Sequence, residues 1–437
     1  MGSFQTKNTA TALLQIYDLW LTDAEHKDLT GTIFLDLSAA FDIVEHDILL
    51  GKLSLYGFSE NTISFFRSYL KNRKQIVQVQ SKLSHPEDVG VQGVPQGSIL
   101  GPILFLIYMN DFPEHSDIGH DILYADDDTE NVSDPDPDAL QEKLQRQADS
   151  STKWIQDNKM LCSGEKTKLL IVSTRDQRSS KLQGKTIKVK VCGKVIEETK
   201  DEKLLGILMS NNLSWNSHLY GNKLTGKDKV QGLLPKLSQR IGMLGKLNKF
   251  MTRSQFSSAC DGLFTSCLLY CLPLFVNVWG LPDMDDVNRR SSSFTKEDCR
   301  KLQVLQNKTL RLKTGNYTMN APTDDLLDAT KDLSVHQLGA YHTLVTVFRI
   351  VTTGEPKYLS DRMVLRTPEE GRVFPNRHAQ TIVQTNCSLT VTRSGFLQRG
   401  AKLWNCLPLG LRLERKSGVF KAEVKRWVRD QISRKPP

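Results

Sequence analysis

With 437 residues, of which 39% are hydrophobic, the chain has the composition of a soluble globular protein and the length for two or three domains. Its eight cysteines form neither a CxxC pair nor a Cys/His pattern of zinc-knuckle spacing, so we expect reduced thiols and no zinc. Residues 1–7 lack the apolar segment of a secretory signal, which argues against secretion and for an intracellular location, in the nucleus or the cytoplasm.

The charge is divided unevenly along the chain. Residues 1–180 contain 16 Lys and Arg against 27 Asp and Glu, whereas the remaining residues contain 42 against 22. The acidic part suits a cation site, and the basic part suits contact with phosphate backbones. The alternative for the basic part is a scattered, solvated surface.

The first predicted element is a helix, since apolar residues recur at helical spacing between Thr9 and Leu21. We expect it to pack beneath a sheet, as part of a helical segment over residues 1–30. A strand follows in residues 31–38, where Ile33, Leu35 and Leu37 share one face and Asp36 projects from the other.

A second short strand ends at a tight turn that carries the adjacent acids Asp126 and Asp127. Neighbouring carboxylates repel each other unless positive charge compensates them, and hard divalent cations prefer oxygen ligands. If this strand lies beside the strand of Asp36, the acids converge on a site for two cations about 3.5 to 4 Å apart, which is suited to phosphoryl chemistry. The alternative is an Asp-rich surface turn.

Between the acids lies a loop, residues 91–102, with three glycines and two prolines. Glycine lets the backbone approach a ligand closely, and proline fixes the turn into the apolar helix predicted at residues 103–109. Gln96 carries a polar amide between Pro95 and Gly97. The alternative is an ordinary loop before a core helix.

Three segments together resemble the reverse transcriptases of non-LTR (LINE-type, jockey-like) retrotransposons. FLDLSAAFDIVEH at 34–46 is similar to polymerase motif A, GVPQGSILGP at 93–102 to motif B, and YADD at 124–127 to motif C. The resemblance implies an α+β fold, with a right-hand polymerase palm made of an antiparallel sheet and packed helices, followed by a mostly helical thumb and C-terminal region.

The same resemblance implies roles for the acids and the loop. Asp36 and Asp126 would be the principal ligands of two Mg²⁺ ions, or of Mn²⁺, and Asp127 would support the metal site. Gln96 and Gly97 would face the incoming nucleotide and the template. Asp42 and Asp47, farther along motif A, look structural, as does His46, which we expect to be a hydrogen-bonded residue.

Phe41 bears on the choice of substrate. A bulky ring at the sugar position would clash with a 2′-hydroxyl, which favours dNTPs. An RNA-dependent RNA polymerase would be expected to carry a smaller or polar residue there. The alternative for Phe41 is core packing.

The resemblance continues downstream into two further motifs. Residues 154–172 are similar to motif D, whose lysine is expected to protonate the leaving pyrophosphate; Lys166 is the candidate, with Lys168 or a plain solvated lysine as alternatives. Residues 202–218 resemble motif E, a hairpin that grips the primer end, where Gly206 would permit close backbone approach.

One residue departs from the family pattern. Related motifs commonly place Thr directly after the paired acids, whereas here Asp128 comes before Thr129. We expect Asp128 to be exposed to solvent beyond the turn. The alternative is that it binds a further cation.

The remaining elements complete the predicted organisation: a palm over residues 31–210, a helical basic thumb-like region over 211–330, and a basic C-terminal region of unknown role over 331–437. Residues 139–158, 236–247, 302–311 and 420–431 are predicted helices, and the polar residues 283–300 a loop. WNCLP at 404–408 resembles a C-terminal element of the family. Residues 262–280 are about one membrane span long but contain polar residues, so we expect a buried helix and no membrane contact.

The family usually has an endonuclease domain and a fingers region upstream of motif A, which here begins at residue 34. We therefore expect the fingers to be largely absent and the chain to be N-terminally truncated, from a shortened copy or an incomplete gene model. Two functions follow. The first is an RNA-directed DNA polymerase that uses an RNA template, a DNA primer and dNTPs; the second is a catalytically inactive remnant that binds nucleic acid.

Overall fold

The computed structural model describes residues 8–223, 229–279, 294–316, 318, 321–366 and 380–434. These residues divide between two compact units. The first, which we name the sheet unit, lies within residues 28–171 and 176–199. The second, the helical unit, is drawn from residues 1–27, 172–175 and 200–437.

The described residues form both helices and strands, so the fold is α+β, as predicted. The strands are β1 (Leu29–Asp36), β2 (Lys74–Gln75), β3 (Gln78–Val79), β4 (Lys82–Leu83), β5 (Glu87–Asp88), β6 (His120–Tyr124), β7 (Asp127–Asp134), β8 (Lys168–Val172), β9 (Lys188–Val191), β10 (Lys194–Thr199), β11 (Asp201–Leu204), β12 (Ile207–Ser210), β13 (Gly221–Lys223) and β14 (Lys229–Gln231). The helices are α1 (Thr9–Glu25), α2 (His46–Leu55), α3 (Glu60–Leu70), α4 (Gly101–Met109), α5 (Pro137–Asp157), α6 (Arg175–Gln177), α7 (Asn216–Tyr220), α8 (Leu233–Leu247), α9 (Arg253–Cys260), α10 (Ser266–Leu269), α11 (Leu272–Phe275), α12 (Lys296–Thr314), α13 (Thr323–Thr330), α14 (Val335–Thr353), α15 (Lys357–Ser360), α16 (Thr390–Arg393), α17 (Phe396–Cys406), α18 (Leu409–Leu413) and α19 (Ser417–Gln431).

The sheet unit is built on a six-stranded sheet with the order β6-β7-β1-β8-β10-β9. The pairs β1–β7, β6–β7 and β9–β10 are antiparallel, and β8–β10 is parallel. The sheet is thus mainly antiparallel, with packed helices, as the resemblance implies. β1 lies near the middle, and every residue from Leu29 to Leu35 is buried.

Helix α5 covers one side of this sheet. It begins at Pro137, whose missing N–H costs nothing in a first helical turn, and Asp136 caps it by accepting from the backbone N–H groups of Asp138 and Ala139. Its buried stripe includes Leu144, which packs against Gly31 of β1 so closely that a Cβ there would lie 2.4 Å from a leucine methyl. Glycine therefore lets the helix approach the strand.

The helical unit contains helix α1, and here one expectation is wrong. We expected α1 to pack beneath the sheet, but it packs against α11, α16 and α17 within the helical unit. The hydroxyl of Tyr358 donates to the carbonyl of Thr11 at 2.7 Å, and Arg362 forms an ion pair with Asp18. The apolar periodicity of α1 predicts a helix but does not identify its partner.

The other predicted helices are confirmed as α5, α8, α12 and α19. The loop predicted at 283–300 ends earlier, since α12 begins at Lys296; residues 283–293 and the N-terminal segment 1–7 lie outside the described residues. In the WNCLP element, the indole of Trp404 is buried and donates to the carbonyl of Gln380, while the Asn405 amide pairs with the backbone of Ile382. Trp404 and Asn405 of this element therefore have structural roles, because they bind the backbone of residues 380–382.

One helical stretch in the described ranges, Arg253–Phe275, is long and apolar enough to cross a membrane. It is irregular, since a π-helical turn covers Asp261–Thr265 and Cys271 has a φ of 55°. A single stretch of this kind also occurs as a core helix in soluble proteins. The absence of membrane contact therefore stays a prediction, as do the boundaries of the four predicted regions.

A buried acid cluster lies between the sheet and α5, and consists of Asp121, Asp128 and Glu130. Asp128 is 2% exposed, and both of its carboxylate oxygens lack a hydrogen bond. Glu130 accepts a hydrogen bond from Ser151 at 2.5 Å, and Asp121 lies 3.4 Å from a ring nitrogen of His115.

Burial raises the pKa of all three acids. The pKa of Asp121 rises to about 7, and the pKa values of Asp128 and Glu130 rise further through their repulsion of neighbouring acids. In the folded chain, Asp128 and Glu130 therefore keep protons that the unfolded chain releases above about pH 4. Because the folded state then binds more protons, these acids reduce the free energy of unfolding as the pH rises.

We predict that Glu130→Gln stabilises the chain at pH 8 by roughly 1 to 3 kcal/mol and has a smaller effect at pH 5, since the amide cannot ionise. Urea unfolding of both chains at the two pH values measures this difference. Glu142→Gln, at an exposed position on α5, is the matched control and should change neither value. An equal effect of Glu130→Gln at both pH values would contradict the prediction.

Candidate active site

The sheet unit brings three of the predicted site residues together. Asp36 is the last residue of β1, and the antiparallel register places it directly opposite Asp127, the first residue of β7. Asp126 precedes Asp127 in the turn from β6. Asp36, Asp126 and Asp127 therefore meet at one end of one sheet.

The turn between β6 and β7 is tight. It contains only Ala125 and Asp126, because Tyr124 already pairs with Asp127. Ala125 has a φ of 58°, a left-handed conformation that costs free energy in any residue with a Cβ. This strained turn leaves Asp126 and Asp127 side by side and exposed.

The three acids form a local excess of negative charge. Partial desolvation, followed by the charges of Asp126 and Asp36, raises the pKa of the Asp127 carboxyl. The Oδ2 atom of Asp36 is buried and has no hydrogen bond. Its nearest cation is the Nζ atom of Lys166, at 3.7 Å on a side chain that is 66% exposed.

These residues fit a divalent cation in charge and in donor type. Carboxylate oxygens are preferred ligands of Mg²⁺, and an unpartnered oxygen beside two exposed carboxylates provides the acceptors. Within the described part of the chain, no three His, Cys, Asp or Glu side chains are already arranged around one metal position. Binding by all three carboxylates together therefore requires rotation of Asp126 or Asp127, whose side chains are exposed.

Lys166 is placed by a loop that is hydrogen-bonded to the end of β1. The N–H of Ser163 donates to the carbonyl of Asp36 at 2.9 Å, and the N–H of Asp36 donates to the hydroxyl of Thr167 at 3.3 Å. Lys168, the alternative, instead donates its amine to the carbonyl of Glu165 at 2.6 Å. Of the two lysines, the structure places Lys166 at the acids.

The glycine-rich loop is fixed to motif A. The Gln96 amide donates to the Asp42 carboxylate at 2.8 Å, and the His46 ring bonds to the Gly93 carbonyl at 2.9 Å. Gly93 has a φ of 83°, and a Cβ there would lie 2.7 Å from the Asp42 carbonyl. Gly97 also has a positive φ and faces open space. Asp42 and His46 thus have the structural roles expected of them.

Phe41 is half-buried between these two segments. Its ring stacks on that of Phe105, with centroids 4.3 Å apart and planes inclined by 22°. One face of the ring is therefore packed in the core, as the alternative for Phe41 proposed. The backbone of Phe41 also contacts the glycine-rich loop, because its carbonyl accepts a hydrogen bond from the N–H of Val94 at 2.9 Å.

Gly206 lies in the helical unit, at the tip of the hairpin formed by β11 and β12. It has a φ of 85°, and the ring of Tyr270 lies against it while the tyrosine hydroxyl donates to the Leu205 carbonyl at 2.5 Å. The hairpin borders a pocket of about 320 Å³ whose basic lining residues are Lys203, Lys236 and Arg240.

The prediction for Asp128 is wrong, because this residue is buried in the acid cluster. We placed Asp126 and Asp127 in the turn and Asp128 beyond it, whereas the turn consists of residues 125–126 and β7 starts at Asp127. Asp128 and Glu130 then point to the same face of the strand. Their spacing of two residues is the signal in the sequence for this cluster.

The chain has a structural likeness to a solved telomerase from Candida tropicalis. The likeness covers 80% of this chain and 56% of the telomerase chain, with 12% identity and a TM-score of 0.36.

Curated relatives are closer in sequence. The chain is 26% identical over 340 residues to the RNA-directed DNA polymerase from mobile element jockey of Drosophila melanogaster, covering 76% of this chain and 33% of the relative. From the same organism, the probable RNA-directed DNA polymerases of transposon BS and transposon X-element are 25% and 23% identical, covering 66% and 70% of this chain and 29% and 31% of the relatives. The chain thus spans about a third of the length of these proteins.

Residues 4–207 match the family of the reverse transcriptases (RNA-dependent DNA polymerases). This range includes all three acids, the glycine-rich loop, Lys166 and Gly206. The chain therefore contains a reverse transcriptase domain and is homologous to the RNA-directed DNA polymerases of the jockey, BS and X-element retrotransposons.

Proposed function

We propose that this chain is the polymerase part of a non-LTR retrotransposon protein and extends a DNA primer with dNTPs on an RNA template. The observation that carries the proposal is the register that sets Asp36 opposite Asp127, beside Asp126. Reverse transcriptases use divalent metal ions, and these three acids are the residues that would hold two Mg²⁺ ions, or Mn²⁺. The expected location is the nucleus or the cytoplasm, and none of the eight cysteines forms a disulfide.

Bound there, the two cations would lower the pKa of the primer 3′-hydroxyl and stabilise the leaving pyrophosphate. The protein supplies position and charge. The strained turn holds two carboxylates at the end of the sheet, and the Gln96–Asp42 hydrogen bond fixes the glycine-rich loop to motif A. Lys166 lies beside Asp36 and would donate a proton to the pyrophosphate oxygen.

The hairpin of Gly206 is the proposed contact for the primer. An exposed tyrosine ring and three cations border its pocket, and aromatic rings with basic residues suit stacked bases and phosphates. Because Gly206 lacks a side chain, the Tyr270 ring can lie against the tip of the hairpin, and the exposed part of this ring is the proposed surface for a base.

A second function is a nucleic-acid-binding remnant without synthesis. Two observations favour it: the three acids do not already surround one metal position in the described part of the chain, and Asp128 adds a buried acid beside them.

Asp126→Ala is expected to abolish metal-dependent primer extension on an RNA template, by at least about 10³-fold, because it removes one of the carboxylates that would hold the cations. Gel-resolved extension with Mg²⁺ and with Mn²⁺ measures the loss. Glu142→Ala, an exposed acid on α5, is the control. Synthesis only by a version extended upstream, and never by this chain, would support the remnant instead.

Lys166→Ala is expected to lower kcat by about a hundredfold, as loss of a general acid does. Lys166→Arg should restore part of the rate. Lys168→Ala, the matched control two residues away, should change kcat less than threefold. Equal losses in the two alanine variants would argue against a specific role for Lys166.

Phe41→Ala is expected to lower the preference for dNTPs over rNTPs by about tenfold or more, since the ring no longer excludes a 2′-hydroxyl. The ratio of kcat/KM for the two substrates measures this. Phe105→Leu disturbs the same ring pair without opening the sugar position, so it should reduce stability and leave the ratio unchanged. A shifted ratio in both variants would mean that Phe41 acts only through packing.

A further inference from the structure

A pocket of about 490 Å³ lies in the helical unit, and no polymerase motif lines it. Its walls come from the first turns of α1 and α19, from α11, and from the C-terminal half of α14. Its volume is within the range of small-ligand sites.

The lining of this pocket is cationic. Arg349, Arg415 and Lys421 line it, and no Asp or Glu among the described residues does. The Nε atom of Arg349 is buried without a hydrogen bond, and no carboxylate in the described ranges forms an ion pair with any of the three. Glu414, the acid next to Arg415, accepts from the backbone N–H groups of Arg415 and Lys416.

The helix ends add to this charge. α1 and α19 both begin at the pocket and have no acidic residue in the first turn, and α19 has no side-chain cap. Their positive ends therefore favour an anion. At the C-terminal end of α14, the hydroxyls of Thr352 and Thr353 donate to the carbonyls of Phe348 and Arg349, and the N–H of Gly354 donates to the carbonyl of Ile350.

The floor of the pocket is apolar and firmly packed. Leu14, Leu274, Val345 and Phe348 form it. The Phe348 ring stacks on Phe420 with centroids 4.0 Å apart, and each ring is followed in the chain by a pocket cation. This stack therefore fixes Arg349 and Lys421 relative to each other.

We propose that this pocket binds a nucleotide, with its phosphate on Arg349, Arg415 and Lys421 and its base or sugar on the apolar floor. Guanidinium groups bind phosphate through charged hydrogen bonds, and the side chains of Arg349 and Arg415 line the pocket. The nucleotide is either free or one unit of an RNA strand. The site lies outside the polymerase motifs and does not depend on the proposed synthesis.

The test is calorimetric titration of the full chain with AMP, with inorganic phosphate and with single-stranded poly(U), in EDTA so that metal-dependent binding at Asp36 and Asp126 is absent. Arg349→Gln and Lys421→Gln should each weaken AMP or poly(U) at least about tenfold. Arg426→Gln removes an equal charge from an exposed position on α19 that does not line the pocket, and should change affinity less than twofold.

Ala10→Glu provides a variant that should still fold. It places a carboxylate in the pocket at the second residue of α1, where an acid favours the helix. Thermal unfolding should be unchanged or raised, while binding falls at least about tenfold. If AMP binds, and the three pocket variants weaken its binding while Arg426→Gln does not, the site binds free nucleotides. If poly(U) binds with the same pattern and AMP does not, the site binds a strand. Equal weakening by Arg426→Gln, or no binding of the three probes, overturns the proposal.

Discussion

The register of β1 against β7 is the constraint on which the candidate active site depends. Pairing runs from Leu29 opposite Asp134 to Asp36 opposite Asp127, so the acids reach the end of the sheet together. A slip of one residue would turn Asp36 to the opposite face. Repulsion among the acids opposes this register, and the burial of β1 under α5, with Leu144 seated on Gly31, opposes a slip.

The polymerase motifs were readable from the sequence because each depends on local chemistry. Alternation predicts the strand of Asp36, and a glycine–proline loop predicts the structure before α4. The turn at residues 125–126 was placed wrongly for a physical reason. Hairpin turns with positive φ usually carry Gly, Asn or Asp, and Ala125 gives no such signal. Because the predicted turn included Asp127, the prediction placed Asp128 outside the sheet and in solvent.

Contacts between distant segments could not be predicted from periodicity. The pattern of α1 identifies a buried face, yet its partners lie more than two hundred residues away, in α11, α16 and α17. The choice between Lys166 and Lys168 likewise required the hydrogen bonds of Ser163 and Thr167 to the backbone of Asp36. The family resemblance identifies the candidate residues of the site, whereas tertiary contacts determine which of these residues lie next to each other.

A buried polar atom without a partner costs about 1 to 3 kcal/mol, so each such atom must be relieved in some way. The surroundings of the atom determine whether a proton or a bound ion supplies the missing interaction. The oxygens of Asp128 lie in a sealed core beside Glu130, where no ion can enter, so protonation relieves them and their pKa values rise. The oxygen of Asp36 lies beside exposed carboxylates, where a cation can bind. The guanidinium of Arg349 borders an open pocket that no Asp or Glu of the described residues lines, so a bound anion would meet no repulsion from a carboxylate there.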